Sequence, residues 1–142
     1  MAASLPSLAP VRDVRSSRRR FIRYVAAAAS LATAVLYFGI GAGVLVVVDV
    51  AASDAPGMFE FGASAGAAFV LGALLLLALD HRGLWLVGAL LQVGVIVMYI
   101  AVGPQRTPSF EVWGLVIKAL QVVILVALAW LTVRPPTRVR AR

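Results

Sequence analysis

Long uncharged runs alternate with short polar breaks along this chain. Tyr24 to Val48, Phe61 to Leu79 and Leu84 to Val102 contain no charged residue, and Val112 to Val133 contains one, Lys118. A helix needs about 20 apolar residues to cross a hydrocarbon core roughly 30 Å thick. The pattern therefore predicts an all-α membrane protein, a four-transmembrane-helix bundle with spans over about 24–48, 61–79, 84–102 and 112–133. The breaks carry turn chemistry. Asp49 to Glu60 includes Ser53, Asp54, Pro56 and Gly57; Gly103 to Pro108 holds two prolines; Pro135-Pro136 ends the last run. Asp80-His81-Arg82-Gly83 is so short that spans two and three are expected to form a close antiparallel hairpin.

Composition agrees with lipid as the solvent. The 142 residues are 62 % hydrophobic and only 13 % charged, where a soluble domain has about 25 % charged residues. The absence of cysteine excludes disulfides, thiol catalysis and thiolate-bound metals. The dominance of arginine over lysine, with abundant Ala, Val and Gly, is similar to the coding bias of a GC-rich bacterium.

The net charge of +7 is unevenly placed. Six arginines lie in Arg12–Arg23, four in Arg134–Arg142 and one, Arg82, in the turn between spans two and three. The remaining two loops hold Arg106 against Asp49, Asp54, Glu60 and Glu111. Basic residues stay on the cytoplasmic side, so both termini are expected in the cytoplasm of a cell membrane, joined by antiparallel hairpins with short loops. Residues 1–20 read as a basic tail without regular structure, 21–134 as the membrane domain and 135–142 as a second basic tail. Each tail abuts an apolar run, so its expected partner is the anionic headgroup layer and not nucleic acid. Trp85 and Trp130 are expected at the inner interface and Trp113 at the outer one, as an aromatic belt.

Ser17-Arg18-Arg19-Arg20-Phe21-Ile22-Arg23 resembles the twin-arginine export signal, Ser/Thr-Arg-Arg-x-Phe-Leu-Lys. That resemblance implies a folded soluble passenger behind a short apolar region and a small-residue cleavage site. Here the apolar run has 25 residues and three further spans follow, while Ala51-Ala52-Ser53 is a poor cleavage site. The segment reads as a positive-inside anchor.

Helices in lipid pack through small residues. Gly39-xxx-Gly43 in span one and Gly62-xxx-Gly66 in span two are the expected contact surfaces, within the chain or between copies. Pro56-Gly57-Met58-Phe59-Glu60-Phe61-Gly62 is also similar to Pro108-Ser109-Phe110-Glu111-Val112-Trp113-Gly114. Each places a Phe-Glu pair at a helix start, as two parallel hairpin repeats would.

Few polar side chains remain inside the spans. Lys118, the only lysine, lies about 9 Å below the start of span four at 1.5 Å per residue. An ionisable group at that depth is a functional candidate by default. The bland account is that it snorkels outward to meet Asp49, Glu60 or water. Glu111, Gly114, Lys118 and Gln121 share one face, Gln92 falls at about the depth of Gln121, and Ser30, Thr33 and Tyr37 line span one. The two glutamines are expected to bond to each other. The candidate intramembrane site is thus Lys118, Gln121, Gln92, Tyr37, Glu111, Glu60 and Asp49.

No nucleophile–base pair, carboxylate cluster or cofactor motif points to catalysis, and a lone His81 beside Asp80 and Arg82 completes no metal or haem site. No cofactor is expected. The leading expectation is a non-catalytic accessory subunit or assembly factor of a larger membrane complex, with a membrane-protein partner or a homo-oligomer. The alternative is a small oligomeric transporter or channel using Lys118 near an anion or polar substrate path.

Overall fold

The computed structural model describes residues 14–45, 55–102 and 112–134. It is all-helical: α1 Val14–Gly41, α2 Ala55–Ala78, α3 Arg82–Val102 and α4 Val112–Val133. All four are long and apolar enough to cross a membrane. The start of α1, the α2–α3 connection and the end of α4 meet at one end of the molecule, the arginine end; the opposite end is the far end.

The bounds correct the expected first span at both ends. Helix α1 begins at Val14, inside the segment assigned to an unstructured tail, because its arginines find partners on neighbouring helices. It stops at Gly41 and not near Val48. Gly43 adopts a left-handed φ of +70°, and the amides of Val44 and Leu45 bond back to the Gly39 carbonyl at 2.9 and 3.0 Å. This is a glycine C-cap, which satisfies carbonyls that the last turn would otherwise leave open. The apolar run continued past 41, so hydropathy alone had hidden the stop. Helix α2 begins six residues before the expected 61, taking Pro56 to Glu60 of the expected turn into its first turns. Helix α3 starts two residues early, and Val112–Val133 matches fully.

The packing order is α2–α1–α4–α3. Helices α2 and α3 are joined by only Leu79, Asp80 and His81, yet they do not pack along their length, so the expected hairpin of spans two and three is corrected. The reason lies in α2. Its glycine surface is already taken by α1: a Cβ on Gly62 would come within 2.5 Å of the Gly41 Cα and 2.6 Å of the Tyr37 carbonyl, and one on Gly66 within 2.7 Å of the Phe38 ring. Gly62 and Gly66 thus pack as expected, but Gly39 and Gly43 do not. Gly39 faces Leu45 of its own C-terminal turn, Gly43 forms the cap, and Gly41 makes the crossing.

Two apolar clusters result. The one toward the arginine end draws on all four helices, with Ala26, Ala73, Leu76, Trp85, Ile124 and Leu131 among its buried members. The one toward the far end, around Tyr37, Ile40 and Ile117, is built from α1, α2 and α4 without α3. Accordingly only 6 % of the most apolar stretch of α3 is buried, against 44 % for α1. Trp85 is 1 % exposed and belongs to the core at the arginine end. Of the two similar Phe-Glu pairs, Phe59 and Glu60 lie inside α2, and Phe110 and Glu111 lie outside the described residues.

Candidate functional site

Polar groups gather in two places, of opposite character. At the arginine end, the first turns of α1 reach across to three other elements. The Arg19 guanidinium grips Asp80 with both sides of its fork: Nη2 donates to Oδ1 at 2.7 Å, and Nε donates to Oδ2 at 3.0 Å. Its Nη1 donates to the carbonyls of Leu131, at 3.3 Å, and Arg134. One turn on, Arg23 donates to the carbonyls of Leu76 and Leu77, each at 2.8 Å, and Leu79, at 3.0 Å. The last carbonyls of a helix have no partner within it and carry the negative end of its dipole. Arg19 and Arg23 therefore cap the C-termini of α4 and α2 from a third helix.

The Trp85 indole N–H donates to Asp80 at 3.3 Å, tying the start of α3 into the same knot. The Arg19 hydrogen bonds hold the Asp80 carboxyl below the usual carboxylate range; partial burial opposes this shift, and the indole and Arg23 add to it. Arg18 and Arg134 lie over the Trp130 ring at 5.7 and 5.2 Å, within cation–π reach. The arginines that resemble an export signal are thus parts of the helix array. Arg20 remains exposed beside Ser17, Phe21 and Tyr24, a basic and aromatic face. His81 is exposed in the turn, as expected.

The second gathering lies in the far half, between α1, α3 and α4. Lys118 donates from Nζ to Gln121 Oε1 at 2.6 Å and sits 4.9 Å from the centre of the Tyr99 ring. Its ammonium thus turns toward Gln121, one turn deeper, and not outward toward Glu60, which is exposed elsewhere. The Gln121 amide oxygen, one turn deeper, and the Tyr99 ring face, opposite Gly114, are both within its reach. Tyr37 is buried between two α2 rings, stacked on Phe69 at 5.6 Å and edge-on to Phe61 at 5.7 Å, and its hydroxyl meets the Gln121 side chain. Thr33 is fully buried and donates to the Ala29 carbonyl at 2.9 Å. Of the expected residues, the structure brings Lys118, Gln121 and Tyr37 together; Asp49 and Glu111 lie outside the described residues.

Gln92 takes its expected depth without the expected bond. Gly88 faces Leu128 and Tyr99 faces Gly114, an antiparallel register that sets Gln92 opposite residues 121–124. Yet Gln92 Oε1 and Gln121 Nε2 are both buried with no hydrogen-bond partner among the described residues. A buried polar atom left unpaired costs roughly 1–3 kcal/mol.

Two participants escaped the sequence reading. Tyr99 shares a face with Gln92 two turns away, but only the α3–α4 register brings it to Lys118. Asp80 lies 61 residues from Arg19, a pairing for which a single sequence offers no spacing rule. Comparison of the chain with protein-family models, with curated proteins and with solved structures found no match.

Proposed function

We propose that this chain is a multi-pass protein of the cell membrane, with both termini in the cytoplasm, that serves as a non-catalytic accessory subunit of a larger membrane complex. The orientation rests on the arginines: the end where Arg19, Arg23, Arg82 and Arg134 converge is the basic one, and basic residues stay inside. The observation that carries the functional reading is α3. Its inward stripe packs on α4, while Val93, Val97, Met98 and Ile100 are each at least 43 % exposed. Among the described residues the far part of α3 is an uncovered wall beside an apolar cluster of the other three helices, and such a wall is what a partner's helices cover.

The arginine end supports the same reading, since it gives the chain a self-sufficient fold that can present α3 rigidly. Purification in a mild detergent is expected to recover a second membrane protein at fixed stoichiometry. That recovery should fall when Val97 is changed to Ser and persist when Leu71, on exposed α2, is changed in the same way. A homo-oligomer alone would count against the reading.

A second reading has its own support. Lys118, Gln121, Tyr37 and Tyr99 converge between helices, as they would beside the path of an anion or polar solute in an oligomeric transporter. Loss of flux in reconstituted Lys118→Met with unchanged folded yield would favour it over the subunit.

A further inference from the structure

We infer that Lys118 is the receptor for a carboxylate that a partner's transmembrane helix presents within the far half of the membrane. The inference deepens the subunit reading and rests on it. Three observations converge.

The first is charge. Lys118 lies in the second turn of α4, and its polar contacts are an amide oxygen and a ring face. Both are attractive and neither is an anion, so among the described residues nothing neutralises the positive charge. No carboxylate among the described residues forms an ion pair with it; the ion pairs there all involve Asp80. A cation held in hydrocarbon without a counter-ion is costly, and such residues pair with an opposite charge.

The second is access. Lys118 is only half-buried. On α4 its same-edge neighbours, Leu115 and Val122, are 51 % and 47 % exposed. On α3, Leu84 turns into the four-helix cluster, and Val93 and Val97 lie on the side turned away from it. Lys118 therefore opens on an apolar seam between α3 and α4, on the edge where a further helix would lie.

The third is the pair of unsatisfied amide atoms. Gln121, which accepts from Lys118, is fully buried and keeps its Nε2 unpaired, and Gln92 Oε1 is unpaired at the same level. A carboxylate taking over Lys118 releases one of the two groups that hold Gln121, the other being Tyr37. This lets the unpaired Gln121 Nε2 donor close on the unpaired Gln92 Oε1 acceptor, so docking would complete the polar cluster. A partner offering a hydroxyl would relieve the glutamines but not the charge; a carboxylate answers both.

The test uses the full chain in phosphatidylcholine vesicles with a synthetic single-span leucine–alanine peptide as probe. The peptide carries one Glu at the depth of Lys118, and its control carries Gln there. Energy transfer between labelled protein and peptide measures association. The Glu peptide is expected to bind at least about tenfold more tightly than the Gln peptide, about 1.4 kcal/mol. The preference should vanish in Lys118→Met and survive in Lys118→Arg. If the methionine variant does not fold, moving the Glu two turns toward the arginine end must abolish the preference on the unaltered protein. Equal binding of both peptides would overturn the lysine's role while leaving the α3 wall as a docking surface. A preference that persists in Lys118→Met, or with the displaced Glu, would overturn it as well. Binding of neither peptide would overturn it too, and if no stoichiometric partner is recovered from the membrane, the subunit reading falls separately.

Discussion

The arginine end and the far half contain similar ingredients and use them in opposite ways. At the arginine end, Arg19, Arg23, Asp80 and Trp85 satisfy one another and cap two helices. In the far half, among the described residues, Lys118 has an amide but no anion, and two glutamine atoms stay unpaired. Positive charge is treated differently as well. The guanidinium fork matches a carboxylate and several carbonyls at once, which suits a closed structural joint. A lysine on a flexible stem carries a point charge that can exchange one acceptor for another. The contrast teaches that burial of charge does not itself mark a functional site; what separates the two regions is whether the polar groups close on themselves.

The strongest way to break this comparison is to open the arginine end. Arg19→Ala removes the fork on Asp80 and two carbonyl caps, leaving partly buried acceptors without donors. Losing one partner of a buried ion pair costs about 3–5 kcal/mol, and the partial exposure of Asp80 places the expected loss near about 3 kcal/mol in detergent unfolding. Arg19→Lys should recover less than half, because an ammonium cannot span both oxygens and the carbonyls. A loss below about 1 kcal/mol would mean that this end is no more closed than the far half.

Next in size is the α1–α2 crossing. Gly62→Ala drives a Cβ into the Gly41 backbone, which has no side chain to swing away; overpacking of this kind costs about 1–3 kcal/mol. Gly39→Ala meets only the Leu45 side chain, at 3.0 Å, and is expected to cost less than half as much. Equal losses at the two glycines would restore the pattern read from sequence and contradict the crossing seen here.

That pair of glycines shows what the sequence could and could not reveal. Span number, span type and the depth of Lys118 follow from hydropathy, because each depends on composition within one helix. Gly62 was legible because GxxxG marks small surfaces, but the same pattern misassigned Gly39 and Gly43. The true partner, Gly41, is set by where α1 crosses α2 and where a positive φ ends the helix. Likewise Ser30, Thr33 and Tyr37 form the expected inward stripe, since helical periodicity is local. The Arg19–Asp80 joint, the role of Tyr99 and the splay of α3 from α2 all depend on which helices become neighbours, and hydropathy carries no such information.

A smaller effect separates the two ends by pH. The folded state holds Asp80 below its ordinary pKa, whereas the unfolded chain titrates it near about 3.9. The stabilisation is therefore fully present above about pH 5, declines as pH falls through the unfolded value, and is lost once pH passes below the folded one. Unfolding midpoints between pH 6 and pH 3 should drop, and Asp80→Asn should flatten that part of the profile. A drop that persists undiminished in Asp80→Asn would assign it to another carboxylate and leave the joint without its titrating group.

The smallest expected effect bears on the wall itself. A Cβ on Gly94 of α3 would meet nothing within 4 Å, and glycine inside a helix is less favourable than alanine by about 1 kcal/mol. Gly94→Ala should therefore stabilise the isolated chain by up to about 1 kcal/mol, whereas Gly88→Ala, tight against Leu128, should not. If a partner covers α3, the added methyl group lands in that interface, and co-purification should weaken even as the isolated chain gains stability. A gain in both would mean that the partner sits away from Gly94, on the seam beside Lys118. A loss in the isolated chain would mean that α3 is already covered within the fold, and the distinction between a closed end and an open wall would fail where it is easiest to measure.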